Sequence, residues 1–110
     1  LAYAYHAAGR LTEAITLFEQ VLTDSIRILG EDHPNTLGSR NNLAATYRSA
    51  GRLTEAIALY EQVLTARTRI LGKDHPVTLA TLNALARAYK DAGFLDKATA
   101  LLEGAIPTEG

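Results

Sequence analysis

Histidine and serine are the side chains in this sequence that could do chemistry, and their spacing decides what that chemistry could be. His33 and His75 stand in the matching segments LGEDHP and LGKDHP, each between an aspartate and a proline. A metal site needs several ligands that converge on one point, but these histidines lie in equivalent loops of two sequence repeats. We therefore expect both histidines to have a structural role, and we expect no metal and no cofactor.

Catalysis by a nucleophile finds no support in the sequence either. Ser25, Ser39 and Ser49 lie in no nucleophile-elbow context and beside no evident base, and His6 has no recognisable partner. The absence of cysteine excludes disulfides, zinc-thiolate sites and thiol catalysis. We therefore expect that the chain is not an enzyme. The glutamates that recur with the repeat are interpreted as solvated helix positions: Glu13, Glu19, Glu55 and Glu61.

Charge and hydropathy limit the classes of partner. Eleven basic and twelve acidic residues give a formal net charge of −1, which favours neither nucleic acid nor an anionic membrane as a partner. No apolar run approaches the roughly 20 residues that span a bilayer, and no signal peptide is visible. We therefore expect a cytoplasmic location. The sequence opens without methionine in the middle of a pattern, so we interpret it as a fragment.

The sequence repeats itself with a period of 42 residues. GRLTEAI occurs at Gly9–Ile15 and again at Gly51–Ile57, and about 27 of the 42 positions are identical between residues 1–42 and 43–84. Residues 85–110 form a third and weaker copy. A fixed period of this length predicts a solenoid in which each copy packs against the next, so we expect one solenoid unit over residues 1–110.

Each copy is predicted to form two antiparallel helices, which makes the fold all-α. Apolar residues recur at helical spacing. Pro34 and Pro76 suit the first turn of a helix, behind an Asp-His pair that offers capping side chains. Gly51 suits the left-handed position that ends a helix. The predicted helices are 1–8, 11–29, 34–50, 53–71, 76–92 and 95–106.

The second copy resembles the tetratricopeptide repeat. The similarity rests on Leu43, Ala44 and Tyr47 in its first helix and on Ala56 and Tyr60 in its second. Alanine replaces the family's glycine after the leucine, and the repeat has 42 residues instead of 34. The longer period, with RNNLA and LGxDHP, is similar to the kinesin-light-chain type. Such repeats are also widespread in bacterial multidomain regulatory proteins, and an engineered consensus array is an alternative.

The resemblance implies a right-handed superhelical solenoid of about two and a half repeats, whose first helices line a concave groove. Asparagine side chains suit the backbone of an extended peptide, and arginine and lysine suit acidic groups. We therefore expect the groove to bind an extended, acidic peptide or protein segment. The expected groove residues are Asn41, Asn42, Arg48, Asn83, Arg87 and Lys90. The alternative function is a structural spacer or self-association segment with no groove ligand.

Packing predictions follow from the same repeat. Tyr47 is expected to be buried between neighbouring helix pairs. Leu1 and Tyr5 are expected to face water at one open end, and Ile106 is expected to lack a covering repeat at the other. These unlike, partly apolar ends predict weak self-association.

Overall fold

The computed structural model describes the backbone of residues 2–105 and the side chains of residues 9–104. The described backbone forms five α-helices and no β-strand, which confirms the all-α prediction. The helices are α1 (Ala2–Leu29), α2 (Pro34–Ser49), α3 (Leu53–Leu71), α4 (Pro76–Asp91) and α5 (Leu95–Ala105).

The two histidines cap the helices that follow them. The Nδ1 atom of His33 accepts a hydrogen bond of 3.0 Å from the backbone N–H of Asn35, in the first turn of α2. The Nδ1 atom of His75 does the same for Val77 in α4, at 3.1 Å. Each side chain thus satisfies one of the backbone donors that a helix N-terminus leaves free. The structural role predicted for both histidines is confirmed.

The turn at Gly51 reverses the chain between α2 and α3. Gly51 has a φ of 80°, a left-handed conformation that residues with a Cβ rarely adopt. The N–H of Arg52 donates to the carbonyl of Tyr47 at 2.8 Å, and the N–H of Gly51 donates to that of Arg48 at 3.0 Å. These two bonds are the Schellman arrangement of a helix C-terminus, as the sequence predicted.

The predicted break at Gly9 is wrong, because α1 runs through this residue without interruption. Gly9 shares its sequence column with Gly51 but is absent from the glycines with positive φ. Glycine permits a left-handed turn without requiring one. Continuing the helix adds a backbone hydrogen bond per residue, so the predicted helices 1–8 and 11–29 merge.

The core lies between consecutive helices, each of which packs against the next along the chain. Alanines fill the closest approaches, and Ala44, Ala56 and Ala98 have no exposed surface. Tyr47 is 7% exposed, which confirms its predicted burial. Among the described residues, α2 and α4 also touch each other, whereas no Cα of α1 lies within 8 Å of a Cα of α3. The solenoid is therefore closed along its first helices and open along its second helices.

The first copy exposes positions that the second copy buries. Val21 is 49% exposed, whereas Val63, one repeat later, is fully buried. Leu17 is 61% exposed on the same side of α1. At the other end, Leu101 and Leu102 pack against the core and are half-buried. The side chains of Leu1, Tyr5 and Ile106 lie outside the described residues.

Candidate functional site

Five of the six predicted groove residues form two matching rows on adjacent first helices. In α4, Asn83, Arg87 and Lys90 follow the i, i+4, i+7 spacing that places side chains on one helix face, and all three are exposed. Asn41 and Arg48 take the equivalent positions in α2, with an alanine between them, and are half-buried. We call these five residues the inner stripe.

Asn42 lies at the edge of the inner stripe. It follows Asn41 directly, so its side chain points about 100° away around the helix. Its counterpart one repeat later is Ala84, which packs against the core, whereas Asn42 is exposed. Asn42 thus borders the other five residues without belonging to their row.

An ion pair joins the two helices of the inner stripe. The Nε atom of Arg48 lies 2.6 Å from a carboxylate oxygen of Asp91 at the end of α4. Both side chains are at least a third exposed, so the pair contributes at most about 1 kcal/mol to stability. Its greater effect is on recognition, because Asp91 compensates the charge of Arg48. The sequence predicted Arg48 on this face but did not reveal its pairing with Asp91.

Tyr60 links Arg48 and Arg87 electrostatically. This tyrosine of α3 is 3% exposed, and burial raises the pKa of its hydroxyl. The charges of Arg48 and Arg87 oppose that shift. Two predicted cations on different helices thus act electrostatically on the same buried side chain.

Arg87 and Lys90 are the cations of the inner stripe that remain uncompensated. Within the described residues, neither has a carboxylate at ion-pair distance. The side-chain amides of Asn41 and Asn83 likewise make no hydrogen bond to described residues. The stripe thus presents unused donors and positive charge to solvent.

A second surface feature lies between α1 and α3, where the solenoid is open. This cavity has a volume of about 440 Å3. We call it the outer groove, and its lining is Glu19, Leu22, Thr23, Leu43, Tyr47, Glu55, Ala58 and Leu59. It contains no predicted site residue.

Glu19 and Glu61 are solvated helix positions, as the sequence predicted, but each also accepts a hydrogen bond that was not predicted. Both are exposed, but Glu19 accepts a hydrogen bond of 2.7 Å from the hydroxyl of Tyr47. Glu61 accepts one of 2.5 Å from Tyr89. Each bond joins the second helix of one copy to the first helix of the next. The sequence held a signal for them, since glutamate and tyrosine recur together with the same separation in two copies.

Two classes of site are not found in the described part of the chain. No group of three or more histidine, aspartate or glutamate side chains there is arranged to hold a metal ion. None of the described helices is both long enough and apolar enough to cross a bilayer.

Comparisons with known proteins agree with this geometry. The family model described as tetratricopeptide repeat matches residues 1–68 and 38–107. A kinesin-light-chain-like protein from Podosopora anserina, solved as a crystal structure with nearly identical TPR-like repeats, is 40% identical, with a TM-score of 0.82. The alignment covers 96% of this chain and 50% of that one, and a variant of the same protein gives the same values. The chain thus spans about half the length of these structures. No curated protein matches it.

Proposed function

We propose, from the premise that the chain belongs to the tetratricopeptide repeat family, that its inner stripe binds an extended, acidic segment of a partner protein. Repeats of this family are protein-interaction scaffolds. The observation that carries the acidic specificity is that Arg87 and Lys90, two exposed cations of the inner stripe, have no carboxylate at ion-pair distance among the described residues. The proposal treats residues 1–110 as one unit, with a cytoplasmic location and no nucleic-acid or membrane partner, which the near-neutral charge supports.

The asparagines and the cations of the inner stripe suit different parts of a peptide ligand. The amides of Asn41 and Asn83 can each donate to and accept from a peptide backbone, one repeat apart. Arg87 and Lys90 then attract carboxylates, and Asp91 competes with the ligand for Arg48. Because these charges are exposed, binding should weaken as salt rises and the screening length falls below about 8 Å.

Two short capped peptides test the proposal. The acidic peptide has one leucine flanked by four glutamates, and the basic peptide has lysines in place of the glutamates. Binding is measured by NMR chemical-shift titration of the whole chain at low and physiological salt. The acidic peptide should shift the resonances of the inner stripe, and Arg87→Glu with Lys90→Glu should remove those shifts while the helical circular dichroism is kept.

Asp91→Asn is the matched control for the charge argument. It should tighten binding of the acidic peptide severalfold, because it releases Arg48 from its ion pair. Unchanged binding in both the double variant and this control would mean that the inner stripe is not the site.

The second candidate function is that of a spacer or self-association segment. The observation in its favour is the exposure of Leu17 and Val21 on α1. These positions lie away from the inner stripe, so the two functions can be tested separately.

A further inference from the structure

We infer that the outer groove is a second docking site, and that it takes an aliphatic side chain of a partner segment flanked by lysine or arginine. The groove lies between the second helices α1 and α3, whereas the inner stripe lies on the first helices α2 and α4. The inference is independent of the proposed function, because the two surfaces share no residue and favour ligands of opposite charge.

The floor and walls of the groove are apolar. Leu43 and Tyr47 form the floor and are 3% and 7% exposed. Leu22 and Leu59 stand on either side, half-buried, and pack against the core. A volume of about 440 Å3 admits a leucine-sized side chain with room for its backbone. Such a side chain would gain the hydrophobic free energy that accompanies removal from water.

The rim of the groove carries two glutamates, Glu19 and Glu55, and one arginine, Arg52, so its formal net charge is −1. The guanidinium of Arg52 lies 4.6 Å from the ring centre of Tyr47. Glu55 is bound by Arg52 at 2.5 Å, so this rim pair is neutral. Glu19 is hydrogen-bonded through one carboxylate oxygen to the neutral hydroxyl of Tyr47. Glu19 itself is exposed beside the apolar floor. A lysine or arginine next to the anchoring side chain complements the net negative charge of the rim, whereas an acidic flank is repelled.

The position equivalent to the outer groove one repeat later can be compared with it directly. Between α3 and α5, Glu61 and Tyr89 repeat the bond of Glu19 and Tyr47. There, Phe94 replaces Arg52 and Lys97 replaces Glu55. The ammonium of Lys97 lies 5.9 Å from the ring centre of Tyr89. Glu61 and Lys97 together have a formal net charge of zero, whereas Glu19, Glu55 and Arg52 at the outer groove together have a net charge of −1.

The basic peptide defined above probes this site, and the acidic peptide is its control. The basic peptide should shift the resonances of Leu22, Leu43 and Leu59, with a stoichiometry of one per chain. Glu19→Gln should weaken this binding by about two- to fivefold, the range of an exposed ion pair. Glutamine keeps a carbonyl oxygen that accepts from Tyr47, so the fold should persist, as circular dichroism can verify.

Lys97→Gln tests for a gain of binding and leaves the outer groove unchanged. It should create a second site for the basic peptide near Leu64 and Leu101, raising the stoichiometry from one to two. Equal binding of the acidic and basic peptides at the outer groove would overturn the inference. Basic-peptide shifts confined to other surfaces, or the same affinity in Glu19→Gln and the parent, would also overturn it.

Discussion

Tyr47 and Tyr89 each connect one copy to the preceding copy by a side-chain hydrogen bond. Each buries its ring between helices, and its hydroxyl reaches a glutamate of the preceding copy. A buried ring gives most of the stabilising free energy, and the hydroxyl fixes the register of the two copies. The two contributions can be separated by substitution.

Tyr47→Ala should lower the free energy of unfolding by roughly 3–5 kcal/mol, the cost of removing a buried large side chain. Tyr47→Phe should cost only about 0.5–1.5 kcal/mol, because it removes one hydrogen bond and leaves Glu19 free to bind water. Thermal and urea unfolding of both variants measure the difference. A Tyr47→Ala melting curve that matches the parent would contradict the burial of this ring.

Tyr89 should make the protein less stable at alkaline pH. Burial, then the hydrogen bond to Glu61, raises the pKa of Tyr89 to about 12, whereas an unfolded tyrosine has a pKa of about 10. Between these values the folded chain holds a proton that the unfolded chain has lost. The associated stability is therefore complete below pH 10 and is lost as the pH rises to 12.

Tyr89→Phe removes this proton linkage. Its unfolding free energy should fall less steeply than that of the parent between pH 10 and 12, by up to about 1.4 kcal/mol per pH unit. Urea unfolding at several pH values in this window gives both slopes. The other tyrosines are common to both proteins and serve as the internal reference, so equal slopes would rule out the linkage.

At the scale of the helices, two glycines of one sequence column should respond to alanine in opposite ways. Gly9 lies inside α1 with open space around its Cβ position, so Gly9→Ala should stabilise by about 0.5–1 kcal/mol. Gly51 also has open space, but its φ of 80° should make Gly51→Ala cost about 1–2 kcal/mol. Urea unfolding of both variants measures the two changes in the free energy of unfolding. Destabilisation by Gly9→Ala would contradict the continuous helix and would support the turn at Gly9 that the sequence predicted.

The helices with local start and stop signals could be predicted from the sequence. The ends of α2, α3 and α4 lie within one residue of their predicted positions, because histidine, proline and glycine act on the backbone beside them. The exception, Gly9, shows the limit of such signals. Whether the chain turns at a glycine depends on what the preceding helix packs against, and that is a tertiary property.

The candidate site was predictable only as a set of positions. The repeat register places Asn41 and Asn83 on equivalent faces, but it does not reveal that Arg48 is held by Asp91. Nor does it reveal a groove between α1 and α3, since that groove depends on how far apart two non-consecutive helices stand. Charge compensation and separation are properties of the assembled copies.

At the scale of the whole molecule, α1 exposes an apolar face that an interior repeat would bury. Leu17 and Val21 illustrate it, since the counterpart of Val21 is fully buried. Exposed apolar surface costs about 25 cal/mol per Å2, so we expect weak, concentration-dependent self-association through this face. Sedimentation velocity over a wide concentration range measures it. Leu17→Glu with Val21→Glu should sediment as a monomer, and a parent chain that is monomeric throughout would exclude the association.

The contact between α2 and α4, without one between α1 and α3, also has a mechanical consequence. The side of the stack formed by the first helices is stiff, because these helices touch each other. The side formed by the second helices is compliant, because no such contact holds them together. Force applied along the array should therefore change its curvature before it ruptures any repeat. A side chain bound in the outer groove would hold α1 and α3 apart. It would thereby change the curvature of the stack, and with it the shape of the inner stripe on which the proposed ligand lies.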